Sequence, residues 1–431
     1  MIILEAGQLI LNGLESLWWL LALIILVPLA HESWLAWRQE IYKSAVKYIL
    51  LEIRIPPQVK KSPKAMEQIL AQIHSLGNYP GNLKSYNLEG EVTLWFSLDV
   101  VSFGGEIHFY LRLPQKHQEI VETAFFSYYP DLEIVPVKDY LEDLPQTLFE
   151  TYQRNFDFWG TEFVLGKEDI YPLKTYQDFE GGTEKEFDPI SVLLEVLAKV
   201  KKNEFVALQF ICLPSPAKDW KERGERVIQE LKEKSSPAPK ESLEGQTSQV
   251  SPPSNSKDLE LAKLIEKNIE KPAFKVLIRA GYFGSRENFS EGFVKNGLKG
   301  ALNQYSGPEM NFFNSNGQVE TKPQLTGWPY LFPRLRVSWR KQRMLFNFSR
   351  FLIPPQTFIG KLATSHLLNS NFNSQMFYLN TQVLATLFHP PLHFVITSPH
   401  IKELPSRKLG APAGLPIFGE EEERLKKFEI K

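Results

Sequence analysis

The sequence is poor in cysteine: its 431 residues include only Cys212. A single cysteine excludes a disulfide framework within the chain, which agrees with a reducing compartment. Cys212 lies in the apolar run FVALQFICL, where a buried structural thiol is expected rather than a nucleophile. Small secreted folds held together by disulfides are therefore excluded as a class.

The sequence also lacks a recognisable catalytic or nucleotide-binding motif. A phosphate-binding loop needs a leading glycine and a lysine followed by Ser or Thr. The nearest approach is Gly360-Lys361-Leu362, which has Pro355 at the leading position and no hydroxyl after the lysine. Three histidines at 389, 393 and 400 have two prolines between the first two and no acidic residue or cysteine nearby. We therefore expect no enzyme activity, no cofactor and no metal site.

Acidic residues are absent from one long part of the chain. Residues 321–402 contain nine Lys or Arg and no Asp or Glu, whereas residues 131–188 contain fifteen Asp or Glu and five Lys or Arg. The basic part includes RLRVSWRKQRMLFNFSR, in which cations alternate with aromatic residues. Its cations are Arg334, Arg336, Arg340, Lys341, Arg343 and Arg350.

Cations neutralise phosphates and aromatic rings stack on bases, so this basic segment is a candidate nucleic-acid or partner-binding site. Three alternatives remain open for it. The segment could instead be a solvated helix face, could contact anionic lipid, or could contact the acidic region of the same chain.

A long apolar stretch, Leu17–Trp37, stands near the N-terminus, and no Lys or Arg precedes it. A helix over residues 14–37 would extend ~36 Å, enough for a ~30 Å hydrocarbon core. Tryptophans at both ends favour a membrane span over a buried or surface-lying helix, which is the alternative. We therefore predict a membrane anchor over residues 1–41.

Basic residues that follow the apolar stretch predict its orientation. They are Arg38, Lys43, Lys47, Arg54, Lys60, Lys61 and Lys64. The positive-inside rule then predicts a single-pass protein of the inner (cytoplasmic) membrane, with its N-terminus outside and its bulk in the cytoplasm.

Residues 42–140 have the pattern of a ferredoxin-like βαββαβ domain. A strand over 48–56 is followed by a helix over 62–77, with Ser62 as its N-cap and Pro63 at its first position. Two strands flanking Gly104-Gly105 form a hairpin, and a second helix and a fourth strand complete the unit. The predicted fold class is α+β.

A second α/β sandwich domain is predicted over residues 141–234 and 258–400, as a diverged copy of the first. Its helices and strands are separated by residues 235–257, a Ser- and Pro-rich insertion that we predict to be flexible. Residues 401–431 are read as a connector and a charged tail.

The segment MFYLNTQVLATLFHPP, residues 376–391, resembles the stretch ahead of the motor domain in membrane-anchored DNA translocases. These are the type IV secretion coupling proteins and HerA-like ATPases. The matching residues are Leu379, Asn380, Thr381, Leu384, Ala385, Thr386, Leu387, Phe388, His389 and Pro390. Residues 404–416, LPSRKLGAPAGLP, resemble the connector that follows in that family. Gln382 and Val383 depart from the family pattern, and no nucleotide-binding loop follows.

The resemblance implies a part of a DNA-pumping machine close to the membrane that does not itself hydrolyse ATP. We expect a scaffold that partners a membrane and a separate DNA-translocating ATPase; DNA and further copies of the chain are other candidate partners. The alternatives are a membrane-anchored protein that binds nucleic acid through residues 334–350, and a structural module that contacts no DNA. Read without the resemblance, Asn380 or Thr381 caps an ordinary packed helix.

Overall fold

The computed structural model describes residues 2–56, 61–180, 188–235, 256–321, 333–355 and 373–392. Within these ranges the chain is an α+β protein built on one nine-stranded antiparallel sheet. The strands are β1 (Tyr48–Arg54), β2 (Phe96–Phe103), β3 (Glu106–Pro114), β4 (Glu133–Val137), β5 (Phe156–Leu165), β6 (Phe205–Ser215), β7 (Ala273–Ser285), β8 (Phe313–Ser315) and β9 (Phe377–Asn380).

Helices connect most of these strands. They are α1 (Ile2–Ala45), α2 (Pro63–Ser75), α3 (Gln118–Tyr128), α4 (Leu148–Gln153), α5 (Tyr176–Glu180), α6 (Ser191–Ala198), α7 (Lys218–Ser235), α8 (Ser256–Glu270), α9 (Glu291–Asn303), α10 (Pro333–Ser349) and α11 (Thr381–Leu387). The predicted N-cap of α2 is confirmed, since the Ser62 side chain accepts a hydrogen bond from the Lys64 amide.

Two halves of the sheet repeat one topology. The strand order is β4-β1-β3-β2-β6-β7-β5-β8, so each half places its own fourth, first, third and second strands in sequence, and the second strands meet at the centre. In each half, helices connect the first strand to the second and the third strand to the fourth. The second half differs by an α7–α8 helical hairpin between β6 and β7.

The prediction of a separate second sandwich is wrong, because the two halves share one sheet. Strand β2 pairs with β6 along its whole length, from Phe96 opposite Cys212 to Phe103 opposite Phe205. Strand β9 then pairs with β7 over Ala273–Val276, beside the stretch of β7 that pairs with β5. A pairing between segments a hundred residues apart has no local sequence signature, so the predicted elements could not indicate it.

One face of the sheet carries the main apolar core. Alternate residues of the strands point toward α2, α3, α6, α9 and α11, as the two-residue period of a strand requires. Cys212 belongs to this core and is fully buried, as predicted, and burial raises the pKa of its thiol well above the usual value.

The opposite face is covered in part by α10. Met344, Leu345 and Phe348 of this helix are fully buried against β5 and β7. This face also buries charged and polar residues on neighbouring strands, including Glu162, Arg279, Gln209 and Asp99. Because buried polar groups need partners, these residues constrain how α10 docks.

The C-terminal part of α1 lies on the body of the protein. Leu35 and Gln39 are buried there, and α1 contacts a π-helical turn over Ser85–Glu89. The Arg38 Nε donates to the Leu88 carbonyl at 2.6 Å, and the Trp34 indole donates to the Asn87 carbonyl at 3.3 Å. Trp34, one of the tryptophans predicted to lie at a membrane interface, therefore donates a hydrogen bond to protein.

The membrane span predicted over residues 14–37 is overturned. In the part of the chain that the structure describes, no helix has both the length and the apolar character that crossing a membrane requires. Helix α1 is one continuous helix of 44 residues whose last third packs on the sheet domain. The predicted flexible insertion lies outside the described residues except for its ends, and the predicted tail over 401–431 lies wholly outside them.

Gly90 lets α1 approach this closely, and its replacement is expected to loosen α1. It follows the π-helical turn with a φ of +68°, and a Cβ there would lie 2.5 Å from the Arg38 carbonyl carbon. Gly90→Ala should therefore lower the free energy of unfolding by ~1–2 kcal/mol because of the left-handed conformation. The contact between the new Cβ and the Arg38 backbone should lower it further. Hydrogen exchange should become faster in residues 31–45. Gly81→Ala is the control, since nothing lies within 4 Å of its added Cβ, and equal exchange in both variants would contradict the prediction.

Candidate partner-binding surfaces

Helix α1 exposes a large apolar surface beyond the point where it leaves the body. We call it the α1 apolar segment; it comprises Trp19, Leu20, Leu23, Ile24, Ile25, Leu26 and Val27. Leu23–Val27 are 51–62% exposed although they are consecutive, so the helix is apolar on every side there. Soluble monomers rarely leave such a surface uncovered, which makes the segment a candidate interface.

The six predicted cations lie in or just after α10, and they do not form one surface. Arg340 is 4% exposed and donates to the carbonyls of Gly317 and Glu320 at 3.1 and 3.3 Å. The Lys341 ammonium forms a 2.6 Å ion pair with Asp157 of β5. Arg334 and Arg350 are exposed. Arg340 and Lys341 are thus committed to internal contacts.

Arg336 and Arg343 are half-buried at the flank of α10. Burial lowers the pKa of the Arg343 guanidinium, although an arginine stays charged at neutral pH. Among the aromatic residues of the segment, Phe348 is buried in the core, whereas Trp339 and Phe346 are exposed. The outward side of α10 is consequently aromatic at its centre and cationic at its rim.

Residues 37–312 match a domain of unknown function, DUF8128. The chain belongs to the DUF8128 family. The matched range begins near the docked end of α1 and includes β1 to β7, which are the first half of the sheet and three of the four strands of the second half. Helix α10 and the 379–390 segment lie outside it. No curated protein sequence is similar to this chain.

The segment that carries the translocase resemblance lies in the core of the DUF8128 protein. Every residue from Phe377 to Pro390 is buried, and α11 packs against α2. The predicted cap is confirmed: the Asn380 side chain accepts from the Val383 amide at 2.8 Å. The Asn380 side-chain nitrogen, Nδ2, donates to the backbone carbonyl and to the side-chain oxygen of Asn268. These contacts make the segment a structural element of the sheet domain.

His389 at the end of this segment forms a buried ion pair with Asp188. Its Nε2 lies 2.8 Å from Asp188 Oδ1, and its Nδ1 lies 2.8 Å from the Ala385 carbonyl. Both partners can only accept, so both ring nitrogens donate and the ring is positively charged. Burial favours a higher pKa for Asp188, but the His389 charge and bonds from His389, Leu392 and Ile190 outweigh it and hold the pKa below its usual value.

Metal ligation has no support in the described residues, where no group of three or more His, Cys, Asp or Glu could hold an ion. His393 and His400, the other members of the histidine set, lie outside those residues. His389 itself is occupied by Asp188 and by the Ala385 carbonyl.

Asp99 is a buried acid at the centre of the second sheet face. It stands opposite Gln209 across the β2–β6 junction and accepts a hydrogen bond from the Tyr140 hydroxyl at 3.0 Å. Burial raises the pKa of its carboxyl to about 7, although Arg112 opposes the shift. Sequence patterning gave no sign of this residue, because an acid inside a strand normally marks the solvent face.

Asp99→Asn is expected to remove a pH dependence of stability. The folded state holds a proton on Asp99 that the unfolded state loses above pH ~4, so the free energy of unfolding falls between pH ~4 and ~7. The raised pKa corresponds to up to ~4 kcal/mol across that range. Urea unfolding at pH 5 and pH 8 should show Asp99→Asn gaining stability over the wild type at pH 8. Asp131→Asn, a control at an exposed position, should not gain stability at pH 8. An equal change in stability in both variants would contradict the raised pKa of Asp99.

Proposed function

We propose that this DUF8128 protein is a non-catalytic scaffold that associates with a bilayer surface and positions a DNA-translocating ATPase there. The exposed α1 apolar segment carries the proposal. Transfer of five large aliphatic side chains out of water contributes ~5–10 kcal/mol, which is enough for stable association with an apolar phase. The proposal concerns surface association and does not invoke a span.

Charge and aromatic placement along α1 support a bilayer as the apolar phase. Trp19, Trp34 and Trp37 are about half exposed, and indole rings favour the headgroup region. The Arg38 guanidinium carbon lies 6.0 Å from the Trp34 ring centroid and 5.9 Å from the Trp37 ring centroid, within cation–π range. Cations beside an exposed apolar helix favour anionic lipid headgroups.

The ATPase part of the proposal rests on the resemblance of residues 379–390 to the segment before the motor in coupling proteins and HerA-like translocases. In this protein that segment is packed into the sheet domain. A rigid sheet domain on a helix that contacts lipid is a suitable platform for a separately encoded motor.

Vesicle flotation tests the bilayer association. The full chain should float with vesicles of phosphatidylcholine and phosphatidylglycerol, and the double variant Ile24→Glu/Leu26→Glu should stay in the dense fraction. Phe149→Glu is the matched control, because Phe149 is an exposed apolar residue of α4 far from α1 in sequence. A wild-type chain that fails to float, or a double variant that floats equally, would refute the proposal.

Nucleic-acid binding through residues 334–350 is a second candidate, favoured by exposed Arg334 and by Arg350, whose guanidinium carbon lies 4.4 Å from the Phe346 ring centroid. Arg340 and Lys341 are unsuitable test positions because their replacement would break internal contacts. Arg334→Gln/Arg350→Gln is the informative variant. If this surface binds DNA, affinity should fall steeply with salt, and the variant should reduce that slope by about two. Unchanged binding would exclude the surface.

A further inference from the structure

Helix α10 has a second apolar side that the sheet does not cover. Leu335, Trp339 and Phe346 are exposed, and with Gln342 they form a set spaced at i, i+4, i+7 and i+11. At 100° per residue these four side chains fall within about 60° of one another, so they line one stripe along the helix. We call these four residues the α10 outer stripe.

Helix α4 extends the α10 outer stripe sideways. The Leu148 amide donates to the Gln342 side chain at 2.9 Å, which fixes the start of α4 against the middle of the stripe. The next residue, Phe149, is 72% exposed. The α10 outer stripe itself is ~17 Å long, about three helical turns.

The surroundings of the α10 outer stripe carry positive charge. Helix α10 contains no acidic residue. Arg336 and Arg343 lie on one flank of the stripe, Arg334 lies on the other, and Arg350 follows its end. Two further cations, Arg340 and Lys341, point inward to the Glu320 carbonyl and to Asp157. Within α10, therefore, the stripe is flanked by cations and by no acidic residue.

We propose that the α10 outer stripe docks an acidic amphipathic helix of a protein partner. Such a helix would place apolar residues at the same spacing on Leu335, Trp339 and Phe346, with Asp or Glu near its two ends facing the exposed Arg334 and Arg350. A nucleic-acid backbone fits less well, because its phosphates would meet the apolar centre while two of the helix's cations are turned inward. The inference does not depend on bilayer association, which uses α1.

A fluorescent peptide tests the docking surface. The probe is a 16-residue acidic helix with leucines at i, i+4, i+7 and i+11 and glutamates elsewhere on its flanks; a scrambled peptide of the same composition is the control probe. Fluorescence anisotropy with the full chain should show saturable binding of the first probe alone. Affinity should fall as salt rises, because the rim contacts are electrostatic.

Trp339→Ala should weaken peptide binding about tenfold or more, since tryptophans near the centre of an interface are frequent hot spots. Phe293→Ala is the matched control, an exposed aromatic residue on α9 that should leave binding unchanged. Both residues are exposed, so both variants should retain the wild-type melting temperature. The proposal is overturned if the ordered peptide does not bind, if Trp339→Ala binds it equally, or if a single-stranded oligonucleotide displaces the peptide and binds more tightly.

Discussion

Arg279→Met is expected to lower the free energy of unfolding by ~3–5 kcal/mol. Arg279 and Glu162 are both fully buried, and Arg279 Nη2 lies 2.8 Å from Glu162 Oε1. Arg279 also donates to the carbonyls of Asn347 and Leu352, at 2.7 and 2.8 Å. The substitution would leave the buried Glu162 carboxylate without its cation, although the Ser374 hydroxyl still donates to it. It would also remove the Arg279 donor from the carbonyls of Asn347 and Leu352.

Because the two carbonyls lie at the end of α10 and just after it, Arg279→Met should also loosen α10. Hydrogen exchange should become faster in residues 340–349, while strands β1 to β4 at the far side of the sheet keep their protection. Arg334→Met applies the same change to an exposed arginine of α10 and should cost less than ~0.5 kcal/mol. Arg279→Met/Glu162→Leu should recover part of the loss, since the uncompensated charge is gone. Equal stability of wild type and Arg279→Met would contradict this assignment.

His389→Leu is expected to destabilise the protein by a similar ~3–5 kcal/mol. It would leave the Asp188 carboxylate fully buried with backbone donors from Ile190 and Leu392 but without its cation. The pKa of Asp188 is held below its usual value, so the stabilisation by this pair is present above pH ~4 and is lost as the pH falls below that. The destabilisation should therefore be largest near neutral pH. Urea unfolding at pH 7 and at pH 3.5 measures both quantities.

The double variant Asp188→Asn/His389→Leu isolates the pair from general packing effects. It should be more stable than the sum of the two single changes predicts, by the coupling energy of the pair. His117→Leu is the control, because His117 precedes α3 without a side-chain capping bond. If the stability losses of the two single variants add up to that of the double variant, the ion pair contributes no coupling energy to stability.

The elements that the sequence predicted well have local causes. Ser62 and Pro63 start α2, and Gly104-Gly105 turn between β2 and β3 with positive φ angles. Asn380 caps α11 for the same reason, because a side chain three residues ahead of an amide can reach it. In each case the interacting groups are within a few residues, so the sequence alone carries the signal.

Elements that depend on distant partners were missed. Strand β5 was not predicted, because Gly160 and the charged Glu162 interrupt the apolar–polar alternation typical of a strand. Glu162 is tolerated in the buried strand because Arg279 pairs with it from β7. Gly160 lies under Met344 of α10, with 2.6 Å between a built Cβ and the Met344 Cγ. The short strand β9 likewise exists through its pairing with β7. The basic segment was recognised, but its division into inward and outward cations depends on how α10 docks.

Identification of the proteins that co-purify with this chain tests the scaffold proposal most directly. The chain would be expressed in its native cells, solubilised in detergent and purified with and without nuclease treatment, and the co-purifying chains would be identified by mass. We expect a DNA-translocating ATPase of the coupling-protein or HerA-like type in both samples. Recovery of nucleic acid alone, or loss of the ATPase after nuclease treatment, would show that the protein is a DNA-binding module and would contradict the proposal.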